Sequence, residues 1–245
     1  MLQKIFSGKT DIGLKRENNE DAFAISPELD FCLAADGMGG EAAGEIASKI
    51  FVESALAVFE ENTHRTEGDV INRVQNAFGF ANRKILDHVI QHPDLKGMGC
   101  TAELLAFTNG GFVLGHIGDS RTYRLRNGHL QQLTQDHTLV QQQVEEGLIS
   151  SDKVKNHPLR NVIFRAVGLD GELALDLIRG NISAGDLFLL CSDGLTDMIP
   201  DDLIQEILLS DIDVHAQVDK LIETAISAGG HDNITAVMSA IKSNQ

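Results

Sequence analysis

Residues 21–36 read DAFAISPELDFCLAAD, in which two short apolar runs are each bounded by an aspartate. The residues between the runs, Ser26–Asp30, are typical of a turn. A hairpin here places Asp21 beside Asp36, because in an antiparallel sheet the beginning of one strand lies next to the end of its neighbour. The stretch therefore predicts both a sheet and an edge at which two acids meet. The two strands are predicted at Ala22–Ile25 and Phe31–Ala35.

Aspartates bound three further apolar runs in the same way. Asp119 and Asp193 each follow a run, and Asp232 precedes one. Each aspartate alone is better explained by a turn, but all five can converge on one sheet edge. Crowded carboxylates raise one another's pKa unless cations neutralise them, and an all-oxygen ligand set favours Mg²⁺ or Mn²⁺. The sequence thus predicts two ions about 4 Å apart that activate water for phosphate hydrolysis.

The remaining patterns predict an α+β fold. A hairpin is expected at Asn127-Gly128, since both residue types tolerate positive φ. Strands occur in adjacent hairpin-like runs and amphipathic helices occur in pairs, which is typical of antiparallel sheets covered by helices. Further strands are predicted at Ala102–Phe107, Phe112–Ile117, Thr122–Leu125, Leu130–Leu133, Leu173–Ile178, Leu187–Cys191 and Ile234–Ile241. Helices are predicted around Ile46–Val58 and Ile71–Ile85, at Asp201–Leu209, where Pro200 occupies a favoured start position, and at Val214–Ile226.

Composition limits the possible partners and compartment. The chain has 245 residues with no repeat or linker, so we expect a single domain over residues 1–245. With 20 Lys+Arg against 36 Asp+Glu, its net charge of −16 disfavours nucleic acid and anionic membranes. No signal peptide or membrane span is evident, and we expect a cytoplasmic monomer. The three scattered cysteines are expected to be reduced.

Five motifs in order resemble the metal-dependent protein phosphatases, also called type 2C or PPM phosphatases, and in particular their bacterial branch. The resemblance extends from about Thr10 to Ala240, nearly the whole chain. The motifs are Arg16-Glu17-Asn18-Asn19-Glu20-Asp21, Asp36-Gly37-Met38-Gly39-Gly40, Gly115-His116-Ile117-Gly118-Asp119-Ser120-Arg121, Ser192-Asp193-Gly194-Leu195 and His231-Asp232-Asn233-Ile234-Thr235.

The resemblance implies a four-layer α-β-β-α sandwich of two antiparallel sheets flanked by pairs of helices, with a binuclear Mg²⁺ or Mn²⁺ centre and a weaker third ion. It also implies a role for each ligand. Asp36 would bridge two ions, the Gly37 carbonyl would complete one site, and Asp193 and Asp232 would hold the other ion. Glu20 and Asp21 would act mainly through water, and Asp119 would help to hold the third ion. The implied catalytic residues are Arg16, Asp36 and Asp193.

Arg16 is implied to bind substrate, because its guanidinium fork matches two phosphate oxygens. Met38 stands where animal relatives carry a histidine proposed as general acid, so no protein group is assigned to that step. Residues 137–167 resemble the flap that bacterial members place beside the active site; selecting protein substrates and merely connecting two elements are weighed equally for it. Thr138 and Gln141 form a capping box that predicts a short helix there.

The predicted activity is hydrolysis of phosphoserine and phosphothreonine in proteins that a serine/threonine kinase has phosphorylated, a signalling role. Two alternatives remain. One is a two-metal phosphohydrolase of small phosphate esters, for which the chain offers no P-loop and few aromatic residues. The other is a non-catalytic relative that binds phosphoproteins, although every metal ligand of the family is present.

Overall fold

The computed structural model describes residues 2–39, 43–61, 64–169 and 173–243. Within them, ten strands form two antiparallel five-stranded sheets. The first sheet has the order β1-β10-β9-β6-β7, with strands β1 Leu2–Asp11, β6 Arg121–Arg126, β7 His129–Gln132, β9 Leu187–Cys191 and β10 Ile234–Ser243. The second has the order β2-β3-β4-β5-β8, with strands β2 Asp21–Ser26, β3 Phe31–Met38, β4 Gly99–Phe107, β5 Gly111–Ile117 and β8 Asp176–Asn181.

Helices cover the outer faces of both sheets. α1 and α2 pack on the second sheet, and α5 and α6 pack on the first. The predicted four-layer α-β-β-α sandwich is therefore confirmed. The α-helices are α1 Ala43–Glu61, α2 Glu67–Gln91, α3 Leu139–Glu145, α4 Asp193–Thr196, α5 Asp201–Leu209 and α6 Val214–Ser227, and short 3₁₀ helices occupy Pro93–Leu95 and Ser151–Asn156. Among the described helices, none is both long and apolar enough to cross a membrane.

The central strands are buried on both faces, which explains why they read as continuous apolar runs. Along β3, Leu33 and Ala35 pack toward α1 and α2, whereas Cys32 and Ala34 pack toward the first sheet. Between the sheets, the Phe188 ring makes edge-to-face contacts with two phenylalanine rings of the second sheet. The residues of β2 and β3 that face the first sheet include Asp21 and Asp36, so the candidate site opens between the two sheets.

Three predictions of local structure need correction. No strand was predicted at β1. It is an edge strand that pairs only with β10, and its two lysines and its small polar residues leave no apolar run of strand length. β8 begins at Asp176, three residues after the predicted start, and its second half is the polar stretch Arg179–Asn181. Pro200 caps α5 from outside and is not its first residue. Gly40 of the second motif lies outside the described residues.

Candidate active site

The aspartates predicted at strand ends lie at one edge of the sandwich. Asp21 and Asp36 are directly paired in the register of β2 and β3. Asp21 Oδ2 accepts hydrogen bonds from Ser192 Oγ at 2.8 Å and from Thr235 Oγ1 at 2.6 Å, and both donors belong to the first sheet or the loop that leaves it. Asp21 therefore links the two sheets at this edge.

The other acids of this edge interact electrostatically with Asp36. The surrounding protein excludes water from Asp36 and raises its pKa well above the usual range, and the charges of Asp21, Asp193, Asp119 and Asp232 raise it further. Asp119 is buried, which is the main reason that its pKa is also raised, followed by repulsion from Asp193. The structure thus brings together the five aspartates that the sequence placed at strand ends.

Two of these carboxyl groups have pKa values close to neutrality. Burial raises the pKa of Asp21 to about 7, although its bonds to Thr235 and Ser192 act in the opposite direction. Exclusion of water raises the pKa of Asp193 to about 6, with repulsion from Asp197 and Asp232 adding to it. Such values mark a site where negative charge is concentrated and only partly neutralised by the protein.

The cluster has a buried side and an open side. Asp21 and Asp119 are buried, whereas Asp36, Asp193 and Asp232 keep part of their surface exposed. A small cation or a phosphate group can therefore reach the open side, while the buried side fixes the positions of the carboxylates.

The donor chemistry of the cluster fits hard divalent cations. All its ligands would be oxygens, and Asp21 Oδ1 is buried with no hydrogen-bond partner among the described residues. Over the same residues, no group of three or more His, Cys, Asp and Glu side chains stands ready to hold a metal ion as placed. Asp232, for example, directs Oδ2 to Arg16 and Oδ1 to the backbone of Asn233. Cation binding therefore requires side-chain rotation within the cluster.

Gly37 lies in a backbone crossing that only glycine permits. A Cβ atom on Gly37 would lie 2.1 Å from the carbonyl oxygen of Gly44 and 2.6 Å from that of Glu20. The Gly37 N–H donates to the Glu20 carbonyl at 3.1 Å. Burial raises the pKa of Glu20, partly offset by Arg16. These contacts hold Glu20 and the Gly37 backbone beside Asp21 and Asp36.

Arg16 reaches the cluster from the loop between β1 and β2. Its Nη2 donates to Asp232 Oδ2 at 2.6 Å, and the two side chains are 48% and 36% exposed. At that exposure the ion pair contributes little to stability. Its importance is positional, because it places a guanidinium group at the open side of the carboxylates.

Asn233 was quoted in a motif but received no role from the sequence. Its Oδ1 accepts from the Glu20 N–H at 2.8 Å, and its Nδ2 donates to the carbonyls of Ile12 at 3.0 Å and Asn18 at 2.9 Å. This buried amide fixes the loop that carries Arg16 and Glu20 to the start of β10. Its position between Asp232 and a buried strand is the signal that could have identified it, since a buried amide needs partners.

The segment predicted as a flap, residues 137–167, leaves the first sheet after β7. Thr138 caps α3 as predicted, accepting from the Gln141 N–H at 3.3 Å. The segment returns to the second sheet through the Cys100–Val167 bridge. At its base, His137 contacts Gly118, the residue before Asp119.

Met38, at the end of β3, is half-buried and pairs with Gly99.

Comparison with known proteins is consistent with this geometry. The family described as Protein phosphatase 2C matches residues 14–228. The serine/threonine protein phosphatase PstP of Mycobacterium tuberculosis is 40% identical over 236 residues, which cover 96% of this chain and 45% of PstP. The serine/threonine phosphatase stp of Listeria monocytogenes is 36% identical over 94% of this chain and 93% of stp. The chain thus spans about half the length of PstP and nearly all of stp.

A solved structure gives the same result for the fold. The catalytic domain of the serine/threonine protein phosphatase PstP, in complex with two manganese ions, superposes with a TM-score of 0.90. It is 36% identical to this chain, and the match covers 99% of this chain and all of that domain.

Proposed function

The chain belongs to the protein phosphatase 2C family, and from this premise we propose that it hydrolyses phosphoserine and phosphothreonine in proteins with the help of divalent cations. One observation carries the proposal. Five aspartates from both sheets meet at one edge, and a buried carboxylate oxygen of Asp21 there lacks a partner among the described residues. Serine/threonine phosphatase activity in PstP and stp supports the same reaction for this chain.

The proposed ligands fall into three groups. Asp36, the Gly37 carbonyl, Asp193 and Asp232 would hold two Mn²⁺ or Mg²⁺ ions, and the two manganese ions bound by PstP support that number. Glu20 and Asp21 would act through water, and Asp119 would help to hold a weaker third ion. Bound divalent cations would lower the pKa of a water molecule and withdraw charge from phosphate oxygens.

Protein groups perform the remaining steps. Arg16 would bind two phosphate oxygens through its guanidinium fork, in exchange for part of its contact with Asp232. Asp36 and Asp193 would fix the positions of the reacting groups as well as the ions. Asn233 holds the Arg16 loop against β10, so the arginine is positioned before substrate arrives.

The partners follow from the reaction and from the charge of the chain. We infer that the substrates are proteins phosphorylated by a serine/threonine kinase, and that residues 137–167 form a flap that contacts them. The net charge of −16 supports a chain that binds neither nucleic acid nor anionic membrane. We further propose that residues 1–245 act as one cytoplasmic catalytic domain and as a monomer.

The test is hydrolysis of phosphoserine, phosphothreonine and phosphotyrosine peptides by the purified chain in Mn²⁺, in Mg²⁺ and in EDTA. We expect release of phosphate from the first two peptides only when metal is present, and none from the Asp36→Asn variant. Release from p-nitrophenyl phosphate but from no peptide would instead support a hydrolase of small esters. Tight binding of the phosphopeptides without any release would indicate a non-catalytic relative.

A further inference from the structure

The loop that carries Asp119 is fixed on one side by β4. Gly118 has φ +112°, and a Cβ atom there would lie 2.4 Å from Thr101 Cβ, so the backbone passes directly against Thr101. Thr101 Oγ1 and Ser120 Oγ are 2.6 Å apart in a buried hydrogen bond. The residues on both sides of Asp119 are therefore held by the same threonine.

On its other side the loop is bound by His137 through two reciprocal hydrogen bonds. The backbone N–H of His137 donates to the Gly118 carbonyl at 2.7 Å, and the backbone N–H of Gly118 donates to the ring nitrogen His137 Nδ1 at 3.1 Å. Because Nδ1 accepts, a neutral ring carries its proton on Nε2, which lies 3.3 Å from Asp176 Oδ2 and 3.1 Å from Arg165 Nη1. Burial lowers the pKa of His137 to about 4, and the neighbouring charges of His116 and Arg165 lower it further. The ring is thus a neutral acceptor at pH 7.

His137 also lies where the two ends of the flap meet. Its carbonyl accepts from the Phe164 N–H at 3.0 Å, and the next residues pair through the Thr138–Ile163 bridge. A second buried histidine packs against the ring of His137. His116 Nε2 donates to the Gln135 carbonyl at 2.8 Å, and its ring lies 4.5 Å from that of His137. Glu103 holds His116 through Nδ1.

We propose that His137 is a positioning residue. Its Nδ1 fixes the position of the Gly118–Asp119 backbone, and the residue thereby connects the flap to the edge where Asp119 lies. The inference rests on the proposed function for its effect on turnover. Its structural part stands on the contacts alone. Loss of the Nδ1 acceptor would leave the buried Gly118 N–H unpaired and would release the backbone that carries Asp119. Groups that orient metal ligands in this way typically affect metal affinity or activity by about 10- to 100-fold.

The two nitrogens of the ring can be tested separately. In His137→Asn the amide oxygen occupies the place of Nδ1 and can still accept from Gly118, whereas in His137→Gln it is displaced toward the place of Nε2. His137→Ala removes both acceptors, and His129→Asn is the control on an exposed histidine of β7. We measure Mn²⁺ binding by calorimetry, exchange of the Gly118 amide by NMR, and kcat and KM on a phosphoserine peptide.

We expect His137→Ala and His137→Gln to exchange the Gly118 amide faster, to weaken the weakest Mn²⁺ step and to lower kcat by about 10- to 100-fold with little change in KM. His137→Asn should restore all three values to near those of the wild type. Equal behaviour of the Asn and Gln variants, or unchanged Gly118 exchange in both, would overturn the proposal, and this comparison still decides if the alanine variant does not fold. A wild-type chain that hydrolyses no peptide would refute the proposed function, while exchange and Mn²⁺ binding would still decide the role of His137.

Discussion

Asp21 and Asp36 are directly paired across β2 and β3, with both side chains on the face that looks toward the first sheet. Like charges placed directly opposite each other destabilise a sheet, and Asp21 is in addition buried. Hydrophobic residues at these positions would give a more stable sandwich. The pairing is therefore best explained by a requirement for charge at this edge, and it yields a prediction about stability as well as about activity.

The effect of Asp36→Asn on stability should differ in sign between metal-free solution and solution that contains Mn²⁺. In EDTA we expect the variant to unfold at the same temperature as the wild type or higher, since it removes a carboxylate that four acids repel. In Mn²⁺ the wild type should be the more stable protein, by about 2.7 kcal/mol when the ion is at 100 times its Kd. Thermal unfolding in both buffers measures this, with Asp211→Asn, an exposed acid between α5 and α6, as control.

The same substitution at Asp193 or Asp232 should abolish turnover and weaken Mn²⁺ binding, because each residue supplies a charge to the open side of the cluster. Metal titration by calorimetry and peptide hydrolysis are measured on the same samples. If two of the three variants at Asp36, Asp193 and Asp232 kept near-normal rates and Mn²⁺ affinity, the assignment of the metal ligands would be wrong.

Arg16→Ala should mainly raise KM. A hydrogen bond to a charged group contributes about 1.5–3 kcal/mol, so we expect KM for a phosphoserine peptide to rise roughly 10- to 100-fold with a smaller change in kcat. Stability should change little, because the ion pair with Asp232 is substantially exposed. Lys15→Ala is the matched control, since Lys15 is an exposed cation on the same loop. Equal kinetics for the two variants would show that Arg16 is a surface residue that does not bind substrate.

The buried pair of Glu103 and His116 should make stability depend on pH on the alkaline side. Burial opposes a charge on His116, but Glu103 outweighs it and raises the pKa of His116 to about 9. The folded protein then holds this proton more tightly than the unfolded chain, whose histidine has a pKa near ~6.5. The stabilisation is complete below that value and is lost as the pH rises through 9.

Urea unfolding at several pH values measures this contribution. Between about pH 6.5 and about pH 9.5, we expect the wild type to lose up to about 3 kcal/mol more than His116→Gln, at about 1.4 kcal/mol per pKa unit. The variant keeps a polar side chain but cannot be charged, and His129→Gln controls for an exposed histidine. If the unfolding free energies of wild type and His116→Gln changed in parallel with pH, folding would not change the pKa of His116.

The sequence predicted those parts of the molecule that follow from local patterns. The hairpin turn is an example, since Asn127 and Gly128 adopt φ of 52° and 80° as their residue types suggest. The convergence of the five aspartates could also be predicted, because strand ends alternate regularly in antiparallel sheets. β1 could not, since an edge strand with one exposed face needs no apolar run.

Contacts between distant segments were beyond the reach of local patterns. Asn233 binds three backbone groups more than 200 residues away in the chain, and nothing near it in the sequence indicates them. The role of His137 depends on which ring nitrogen faces Gly118, which only the packing of the flap against β5 determines. The sequence placed this histidine only at the start of the flap-like segment and could not give its partner.

Asp119→Ala should separate the third ion from the first two. Asp119 is buried at the inner side of the cluster, while Asp36, Asp193, Asp232 and the Gly37 carbonyl would still hold the tighter pair. We therefore expect calorimetry to show two Mn²⁺ ions bound with near wild-type affinity and thermal unfolding to show an intact fold. Turnover should nevertheless fall by about 10²-fold, as is typical when general acid catalysis is lost.

Comparing substrates with different leaving groups tests the reason for the fall in turnover. Met38 stands beside Asp36 in β3 and cannot donate a proton, so proton delivery would depend on the groups around Asp119. A serine alkoxide leaves poorly without a proton, whereas an aryl oxide needs less assistance. The loss in kcat should thus be greater for a phosphoserine peptide than for p-nitrophenyl phosphate, with Asp211→Ala unchanged on both. Equal losses on the two substrates would refute proton delivery, and a variant that bound no Mn²⁺ would place Asp119 among the ligands of the tighter pair.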